Sequence, residues 1–377
     1  MQKYKITVTA ASGVESAVKN ELRTLGFPSA KALDGGINVD GTATDVARLN
    51  MFLSCADRVY ITLCSFKATT FDELFDGVSS FPFGDIIPFN ARIIVNGKCR
   101  NSRLFAVSSC QSVIKKAILT SLSKKYRKKL FPENGEFYRV EFVISSDEVT
   151  VMLNTSGDGL HKRGWRDLVG EAPIKETLAC AMLSYSDFSP ENPFCDPFCG
   201  SGTIVIEAAR KALGIAPGKN RGFDYAKWDF FDGNAYKLAY EEALDKETPD
   251  RKLHFYGFDV NPDAISLASR HAVRAGVRDK IHLQVQDVKD FRCSLKNGCI
   301  VTNPPYGERL LTPKEAAAVY RTLGEVWRNL DNWSLFAITC APDFEKNLGK
   351  KCDKNRKLYN SGIECRLYQY FHKQSLT

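Results

Sequence analysis

The chain has 377 residues, of which 44% are hydrophobic and 25% are charged, so it is long enough for two or three compact domains. No stretch approaches the roughly 18 consecutive apolar residues that span a bilayer, so we expect neither a signal segment nor a membrane span, and therefore a cytoplasmic location. The twelve cysteines are scattered and form no Cys-x-x-Cys pair, which argues against a zinc site and predicts reduced thiols and no bound metal.

The first 60 residues predict a small α+β unit of strand, helix, strand and helix. Alternation over Tyr4 to Thr9 predicts the first strand, and apolar residues at helical spacing from Val14 to Leu25 predict the first helix. The segment from Lys31 to Val39 is typical of a hairpin.

Residues 60 to about 155 continue in the same style. Strands are predicted at Val59 to Phe66, Ala91 to Asn96, Tyr138 to Ile144 and Glu148 to Asn154, around a helical pair near residues 106 to 130. Apolar residues at every fourth position predict one helical face there: Ile114, Ile118, Leu122, Tyr126 and Leu130.

Part of the net charge of +8 is concentrated in this region, because no acidic residue occurs from Ile86 to Pro132. That stretch contains eleven basic residues: Arg92, Lys98, Arg100, Arg103, Lys115, Lys116, Lys124, Lys125, Arg127, Lys128 and Lys129. Such residues either solvate a helix surface or contact the phosphates of a nucleic acid, and the stretch alone leaves both interpretations open.

From about Leu160 the chain alternates strands and helices, which predicts a mostly parallel, Rossmann-like sheet covered on both faces. The predicted strands are Pro193 to Asp196, His254 to Asp259, Ile281 to Gln286, Cys299 to Asn303, Trp333 to Cys340 and Cys365 to His372. The predicted helices are Thr203 to Leu213, Pro262 to Ala275 and Lys314 to Leu330.

A glycine-rich turn joins the first of these strands to the first helix. It reads Asp196-Pro197-Phe198-Cys199-Gly200-Ser201-Gly202-Thr203. Glycines in this context let the backbone approach a ligand closely, although a tight turn without a ligand would explain a lone Gly-x-Gly equally well.

Two acids follow at the ends of the next two strands. Asp259, before Val260 and Asn261, can accept both ribose hydroxyls of an adenosine, and Asp287, before Val288, can accept from an adenine amino group. Either acid alone could instead cap a helix. The turn lacks the full Gly-x-Gly-x-x-Gly of a dinucleotide enzyme, and Asp196 would repel a pyrophosphate but suits a cationic cofactor. We therefore expect S-adenosylmethionine rather than NAD.

A fourth element, Asn303-Pro304-Pro305-Tyr306, follows a buried strand. Two prolines remove two amide donors and leave carbonyl oxygens facing the cleft. The Asn303 side-chain oxygen and the Pro304 carbonyl can accept the two N–H bonds of an exocyclic amine, while Tyr306 stacks on the base. This loop predicts methylation of an amino nitrogen by in-line attack, without a strong general base.

These motifs resemble the class I methyltransferases with an amino-terminal THUMP domain that methylate guanine N2 in structured RNA, and above all those that act on 23S ribosomal RNA. The resemblance covers nearly the whole chain. It implies a ferredoxin-like domain at residues 1–60, a THUMP RNA-binding domain at residues 61–157, and a class I methyltransferase domain with a mixed seven-stranded sheet at residues 158–377.

The junction after residue 160 adds two sets of candidates by resemblance. Ala172, Pro173 and Ile174 border the cofactor pocket in the family, and Arg163 and Arg166 belong to an Arg-Gly-Trp-Arg motif that goes with an RNA substrate. The cofactor candidates are Ala172, Pro173, Ile174, Asp196, Pro197, Gly200, Gly202, Thr203, Asp259, Val260, Asn261, Asp287, Val288 and Asn303. The RNA candidates are Arg100, Arg103, Lys115, Lys116, Lys124, Lys125, Arg127, Lys128, Lys129, Arg163 and Arg166.

Three alternatives stay open. A tRNA could replace ribosomal RNA as the substrate, since nothing in the residues separates the two. A non-catalytic RNA-binding or ribosome-assembly factor could keep the fold, although the intact Asn303 and Tyr306 argue against it. A protein-glutamine methyltransferase shares the Asn-Pro-Pro-Tyr loop but has no need of a basic amino-terminal surface.

Overall fold

The computed structural model describes residues 2–33, 36–166, 174–306, 312–360 and 362–372. Within these ranges the chain forms two seven-stranded sheets, one from residues 4–154 and one from residues 194–370, each packed with helices. The predicted combination of an α+β region followed by a Rossmann-like domain with a mixed seven-stranded sheet is confirmed.

The first sheet has the strand order β2-β3-β1-β4-β7-β6-β5. Its strands are β1 (Tyr4–Thr9), β2 (Lys31–Leu33), β3 (Gly36–Gly41), β4 (Arg58–Lys67), β5 (Arg92–Arg100), β6 (Phe137–Ser145) and β7 (Glu148–Asn154). Strand β4 pairs with β1 on one side and with β7 on the other. One hydrogen-bonded ladder therefore runs through the whole amino-terminal region.

Four helices pack with this sheet: α1 (Glu15–Thr24), α2 (Ala43–Phe52), α3 (Phe71–Ser79) and α4 (Val107–Tyr126). Capping boxes start α2 at Thr42 and α3 at Thr70, where the side chain of the acid at the third helical position returns to the cap backbone. The sequence patterns did not identify α3.

The basic region near residues 106 to 130 holds one helix, so the predicted helical pair is wrong. Ile114, Ile118 and Leu122 are buried as expected, because they lie on the face of α4 that packs on the core. Leu130 is 87% exposed, because the helix ends at Tyr126 and the next residue, Arg127, has a left-handed conformation with φ of 54°. The periodic pattern of apolar residues in the sequence therefore extends beyond the last residue of the helix.

The second sheet has the order β10-β9-β8-β11-β12-β14-β13. Its strands are β8 (Phe194–Asp196), β9 (Phe255–Asp259), β10 (Ile281–Val285), β11 (Cys299–Thr302), β12 (Ser334–Thr339), β13 (Lys354–Asn360) and β14 (Ile363–Tyr370). The first five in spatial order are parallel, and β14 and β13 form an antiparallel hairpin at one edge. Strand β13 was not predicted.

Six helices accompany this sheet: α5 (Glu176–Ser184), α6 (Thr203–Ala212), α7 (Asn234–Asp245), α8 (Pro262–Arg274), α9 (Pro313–Arg328) and α10 (Phe344–Leu348). Strands β11 and β12 are buried along their full length, which explains their continuous apolar sequence. Of these helices, α6, α8 and α9 match the predicted segments.

The buried side chain of Arg163 connects the two halves of the molecule. Arg163 is 1% exposed and its Nε lies 3.5 Å from Oε1 of Glu207 on α6. Its guanidinium also donates to the carbonyl oxygens of Leu160 at 2.8 Å and Ser54 at 2.6 Å. The prediction that Arg163 contacts RNA is therefore wrong, because its side chain is enclosed between α6 and the amino-terminal region.

Replacement of Arg163 by Met should lower the free energy of unfolding by about 3–5 kcal/mol, because it leaves the buried carboxylate of Glu207 without its cation. Urea denaturation of the full chain measures this change. The neighbouring Lys162, whose side chain is 61% exposed and pairs with Asp158 at the surface, provides the control. Lys162→Met should cost less than about 1 kcal/mol; equal losses for the two variants would contradict the structural role of Arg163.

Candidate active site

The parallel strands bring four predicted site residues to one edge of the second sheet. Asp196 and Asp259 are the last residues of β8 and β9, Asp287 follows β10 by two residues, and Asn303 directly follows β11. Because the carboxyl ends of parallel strands meet at the same edge, residues as far apart in the chain as Asp196 and Asn303 come together there.

The glycine turn between β8 and α6 is held against β9. The amide of Cys199 donates to the carbonyl oxygen of Phe258 at 2.8 Å. Gly202 has φ of 84°, and a Cβ at this position would lie 3.0 Å from the Cβ of Ala268 on α8, so a side chain there would be both strained and crowded. Gly200 has φ of 51° and open space where its side chain would be. This opening leaves room for a ligand against the backbone.

Asp259 organises the next part of the cleft. One carboxylate oxygen accepts from the amide of Gly200 at 3.0 Å, and the other accepts from the amide of Asn261 at 2.9 Å. The Asn261 side chain caps α8 by accepting from the amide of Asp263 at 2.8 Å. Val260, between these residues, is 66% exposed. An apolar side chain exposed beside a carboxylate suits an adenosine, which offers a flat ring and two hydroxyls.

Asp287 also has a local structural role, since its Oδ1 accepts from the amide of Lys289 at 3.0 Å and its Oδ2 lies 3.3 Å from Lys289 Nζ. Val288 is buried. Of the three candidates taken from the junction, Ile174 is buried before α5, whereas Ala172 and Pro173 lie outside the described residues.

Asp196 lies beneath the glycine turn and is 1% exposed. Its Oδ1 accepts from the hydroxyl of Thr302 on β11 at 2.6 Å and from the amide of Phe198 at 3.3 Å. Burial raises the pKa of Asp196 to about 7, the two hydrogen bonds lower it, and the nearby Asp259 raises it. The bond to Thr302 joins the glycine turn to the strand that carries Asn303.

The Asn303-Pro304-Pro305-Tyr306 loop is fixed at two points. Tyr320 on α9 donates to the carbonyl oxygen of Pro305 at 2.9 Å, and the Tyr306 hydroxyl accepts from Nδ2 of Asn360 at 2.9 Å. The side-chain oxygen of Asn303 is buried and has no hydrogen-bond partner among the described residues. Buried acceptors in proteins almost always have a hydrogen-bond partner. Because this oxygen has none in the described protein, it is available to accept a hydrogen bond from a ligand.

Arg166 lies next to the glycine turn and not on the outer surface. Its side chain is 13% exposed, its Nε lies 3.2 Å from Glu176, and it donates to the hydroxyl of Thr203 at the start of α6. Its guanidinium also stacks on the ring of Trp165. The position supports the shape of the cofactor turn, a role that the sequence alone did not suggest.

The predicted basic surface lies on α4 and the residues after it. Lys124, Arg127, Lys128 and Lys129 are exposed. The charges of two residues of this surface are partly neutralised by salt bridges, since Lys115 lies 2.9 Å from Glu133 and Lys125 lies 2.8 Å from Asp85. An open groove of about 470 Å³ runs along the helix, lined by Ser112, Lys115, Lys116, Leu119, Thr120, Ser123 and Lys129.

Beside the exposed Arg100 and Arg103, Phe105 is 79% exposed. An exposed aromatic ring among cations suits contact with a nucleobase, and Phe105 was missed because one aromatic residue carries no sequence pattern. Of the described helices, none has the length and apolar character needed to cross a membrane.

The fold and this edge of the sheet define a class I methyltransferase: a glycine turn after the first strand, an acid at the end of the second, and an Asn-Pro-Pro-Tyr loop after the fourth. Comparison with known families gives the same class. Residues 163–369 match the RMKL-like methyltransferase domain, residues 5–60 match the RlmL ferredoxin-like domain, and residues 68–154 match the THUMP domain. The chain belongs to the RMKL-like methyltransferase family.

Full-length relatives support this membership. The chain is 40% identical over 375 residues, 99% of its length and 97% of the relative, to the protein of Bacillus subtilis named "Putative RNA methyltransferase YpsC". A crystal structure of a "predicted N6-adenine-specific DNA methylase" from Listeria monocytogenes is 41% identical, with a TM-score of 0.93 over 99% of this chain and 97% of that one.

A crystal structure of SMU.472, described as a methyltransferase complexed with SAH, is 36% identical, with a TM-score of 0.93 over 99% of both chains. SAH is the product that S-adenosylmethionine leaves after methyl transfer. The cofactor of this family, and of this chain, is S-adenosylmethionine, which confirms the expectation drawn from the glycine turn that begins at Asp196.

Replacement of Thr302 by Val should lower the free energy of unfolding by about 1–3 kcal/mol at pH 8, because the buried Asp196 carboxylate loses its side-chain donor. Since the pKa of Asp196 is about 7, the carboxyl is mostly protonated at pH 6, and the loss should be smaller there. Urea denaturation at the two pH values measures both effects.

The control is Thr322→Val on the exposed side of α9, where the hydroxyl donates to the Ala318 carbonyl oxygen. This change should stay within about 0.5 kcal/mol at both pH values. A Thr302→Val effect that is equal at pH 6 and pH 8 would count against an ionised Asp196 as the acceptor.

Proposed function

We propose that this chain transfers a methyl group from S-adenosylmethionine to guanine N2 in structured RNA, with 23S ribosomal RNA as the substrate and the cytoplasm as its location. The observation that carries the chemistry is the buried Asn303 side-chain oxygen at the carboxyl end of β11, which has no hydrogen-bond partner within the described ranges. An acceptor in that position, followed by two prolines, suits an amine that must turn its lone pair toward a methyl donor.

The cofactor side of the proposal assigns roles to the residues at the sheet edge. Asp259 would accept the ribose hydroxyls, Val260 would cover one face of the adenine, and Asp287 would accept from the adenine amino group. The backbone at Gly200 and Gly202 would lie against the methionyl part. Pro197, Thr203, Asn261 and Val288 would shape these segments. The family resemblance implies that Ala172, Pro173 and Ile174 border the pocket.

When bound, the cofactor supplies a methyl group on a cationic sulfonium. The protein holds the amine in line with that group: Asn303 Oδ1 and the Pro304 carbonyl accept its two N–H bonds, and the Tyr306 ring fixes the plane of the base. These acceptors also stabilise the positive charge that develops on the nitrogen. The surplus proton leaves through water after transfer. The bonds from Tyr320 and Asn360 keep the loop in place.

Three observations support RNA as the substrate. Residues 68–154 match THUMP, the exposed basic surface of α4 lies in that region, and the Bacillus subtilis relative is named an RNA methyltransferase. The Listeria monocytogenes relative is instead named for adenine N6 in DNA. The nature of the methylated nucleoside therefore decides between the two bases.

The direct test incubates the purified protein with labelled S-adenosylmethionine and either ribosomal RNA or tRNA from a strain that lacks this enzyme, then identifies the nucleoside by mass spectrometry. N2-methylguanosine in ribosomal RNA is the expected product. The same nucleoside in tRNA would keep the chemistry and change the assigned substrate to tRNA. N6-methyladenosine would overturn guanine as the methylated base. Cofactor binding without any methylated nucleoside would favour an assembly factor or a protein substrate.

Asn303→Ala should lower kcat by about 100- to 1000-fold, because the amine loses an acceptor that acts in the transition state. The dissociation constant of SAH, measured by calorimetry, should change much less. Asn329→Ala, at an exposed position after α9, is the control and should leave kcat unchanged. A loss of SAH affinity as large as the loss of kcat would assign Asn303 to cofactor binding and not to the amine.

Reversal of Lys124, Lys128 and Lys129 to Glu should weaken RNA binding by more than about 100-fold at low salt and flatten its salt dependence, because phosphate contacts release counterions. These three side chains are exposed and form no salt bridge with any described residue. Filter binding across a salt series measures the change, and SAH affinity should be unaltered.

The matched control reverses three lysines of the catalytic domain that are likewise exposed and form no salt bridge with any described residue, Lys252, Lys346 and Lys351. It adds the same negative charge at a distance from α4. Equal losses of RNA affinity in the two triple variants would show that net charge, and not the α4 surface, drives binding.

A further inference from the structure

A second unpaired acceptor borders the catalytic loop. Asn360, the last residue of β13, is 5% exposed, and its side-chain oxygen is buried without a hydrogen-bond partner among the described residues. Its Nδ2 donates to the Tyr306 hydroxyl at 2.9 Å. The amide is therefore held in one orientation by the loop and leaves its oxygen unused.

The sheet topology explains why an edge hairpin reaches the active site. Strand β14 runs antiparallel to β12, with Arg366 opposite Thr339, the last residue of β12. The hairpin continues three residues further, to the pairing of Asn360 with Ile363. The tip of the hairpin therefore projects past the carboxyl edge of the sheet, on the side where the Asn-Pro-Pro-Tyr loop lies.

The two unpaired oxygens border the same loop, since Asn303 begins it and Asn360 is bonded to Tyr306, which ends its described part. In the proposed function, Asn303 Oδ1 and the Pro304 carbonyl already accept the two N–H bonds of the amine. A second buried acceptor needs a second donor, and an apolar or acceptor group placed against it would leave it unpaired at a cost in binding.

The Watson–Crick edges of the bases differ in the group that lies beside the exocyclic amine. In guanine the amino group at carbon 2 lies beside the N1–H donor. In adenine and cytosine the exocyclic amino group lies beside a ring nitrogen with a lone pair. A flipped base is read through this edge, so an acceptor next to the amine site accepts guanine and rejects the other two.

We propose that the Asn360 side-chain oxygen accepts the N1–H of the target guanine and so selects guanine over adenine as the methylated base. This inference rests on the proposed function and adds to it the residue that sets base specificity. Asn360 Nδ2 also donates to the Tyr306 hydroxyl, so the residue that contacts the base edge is hydrogen-bonded to the residue on whose ring the base stacks.

The test uses synthetic RNA hairpins that carry the nucleotide found by mass spectrometry, with guanine or 2-aminopurine at that position. 2-Aminopurine keeps the amino group at carbon 2 but has a lone pair at N1. The wild-type protein should methylate guanine with a kcat/KM on the order of 10- to 1000-fold higher, the usual effect of leaving a buried polar group unpaired.

Asn360→Leu should lower kcat/KM for guanine toward the value for 2-aminopurine and leave the 2-aminopurine value nearly unchanged. Asn360→Asp keeps an acceptor toward N1 and should retain the preference for guanine. If the free group at this position were a donor, the Asp variant would lose that preference, and the inference would be overturned. SAH affinity measured by calorimetry shows whether each variant is folded.

Tyr306→Phe separates base reading from support of the loop. It removes the hydroxyl that holds the Asn360 amide in one orientation but leaves the amide oxygen, so the guanine preference should fall less than in Asn360→Leu, even where both rates fall. Retention of the full preference in Asn360→Leu, or a loss in Tyr306→Phe as large as that in Asn360→Leu, would overturn the inference while N2-methylguanosine formation upheld the proposed function. Formation of N6-methyladenosine by the wild type would overturn both.

Discussion

The hydrogen bond from Thr302 to Asp196 joins the two loops on which the active site depends. It links the glycine turn after β8 to the strand that delivers Asn303, and it lies at a buried position where water cannot replace it. The parallel pairing of β8 with β11 sets this contact, since Phe194 faces Cys299 and Cys195 faces Ile300 in register. The glycine turn and the Asn-Pro-Pro-Tyr loop are therefore parts of one rigid edge.

The amino-terminal region packs against the second sheet near this edge. Gly13, with φ of 87°, packs so closely on the hairpin that a Cβ would lie 2.3 Å from the Lys357 carbonyl oxygen. Tyr185 donates to the Gly13 carbonyl oxygen at 2.9 Å, and Arg163 ties Ser54 to α6. An RNA held on α4 would thus be presented to a catalytic loop whose support, the β13–β14 hairpin, contacts the same amino-terminal region.

Local patterns in the sequence were sufficient for much of this architecture. Glycines before an apolar helix, acids at the ends of apolar strands and two consecutive prolines each restrict the backbone where they stand, so the elements that carry Asp196, Asp259 and Asn303 could be predicted. The division into three domains and the roles of the individual site residues stay predictions. The predictions of a helical pair and of Leu130 on the same helical face as Ile114 were wrong, because a periodic pattern does not show where a helix ends.

The class of fold and the cofactor could be recognised without the structure, because each motif that indicates them is a short stretch of neighbouring residues at the end of a predicted strand. The chemistry of the Asn-Pro-Pro-Tyr loop stays a prediction. Tertiary structure alone decided which distant residues meet. From its residue type alone Arg163 is expected at the surface, but in the fold it is a buried partner of Glu207. Asn360 carries no motif, yet strand pairing places it against Tyr306 across 54 residues of chain. Such contacts arise from the order and register of the strands, which no local pattern encodes.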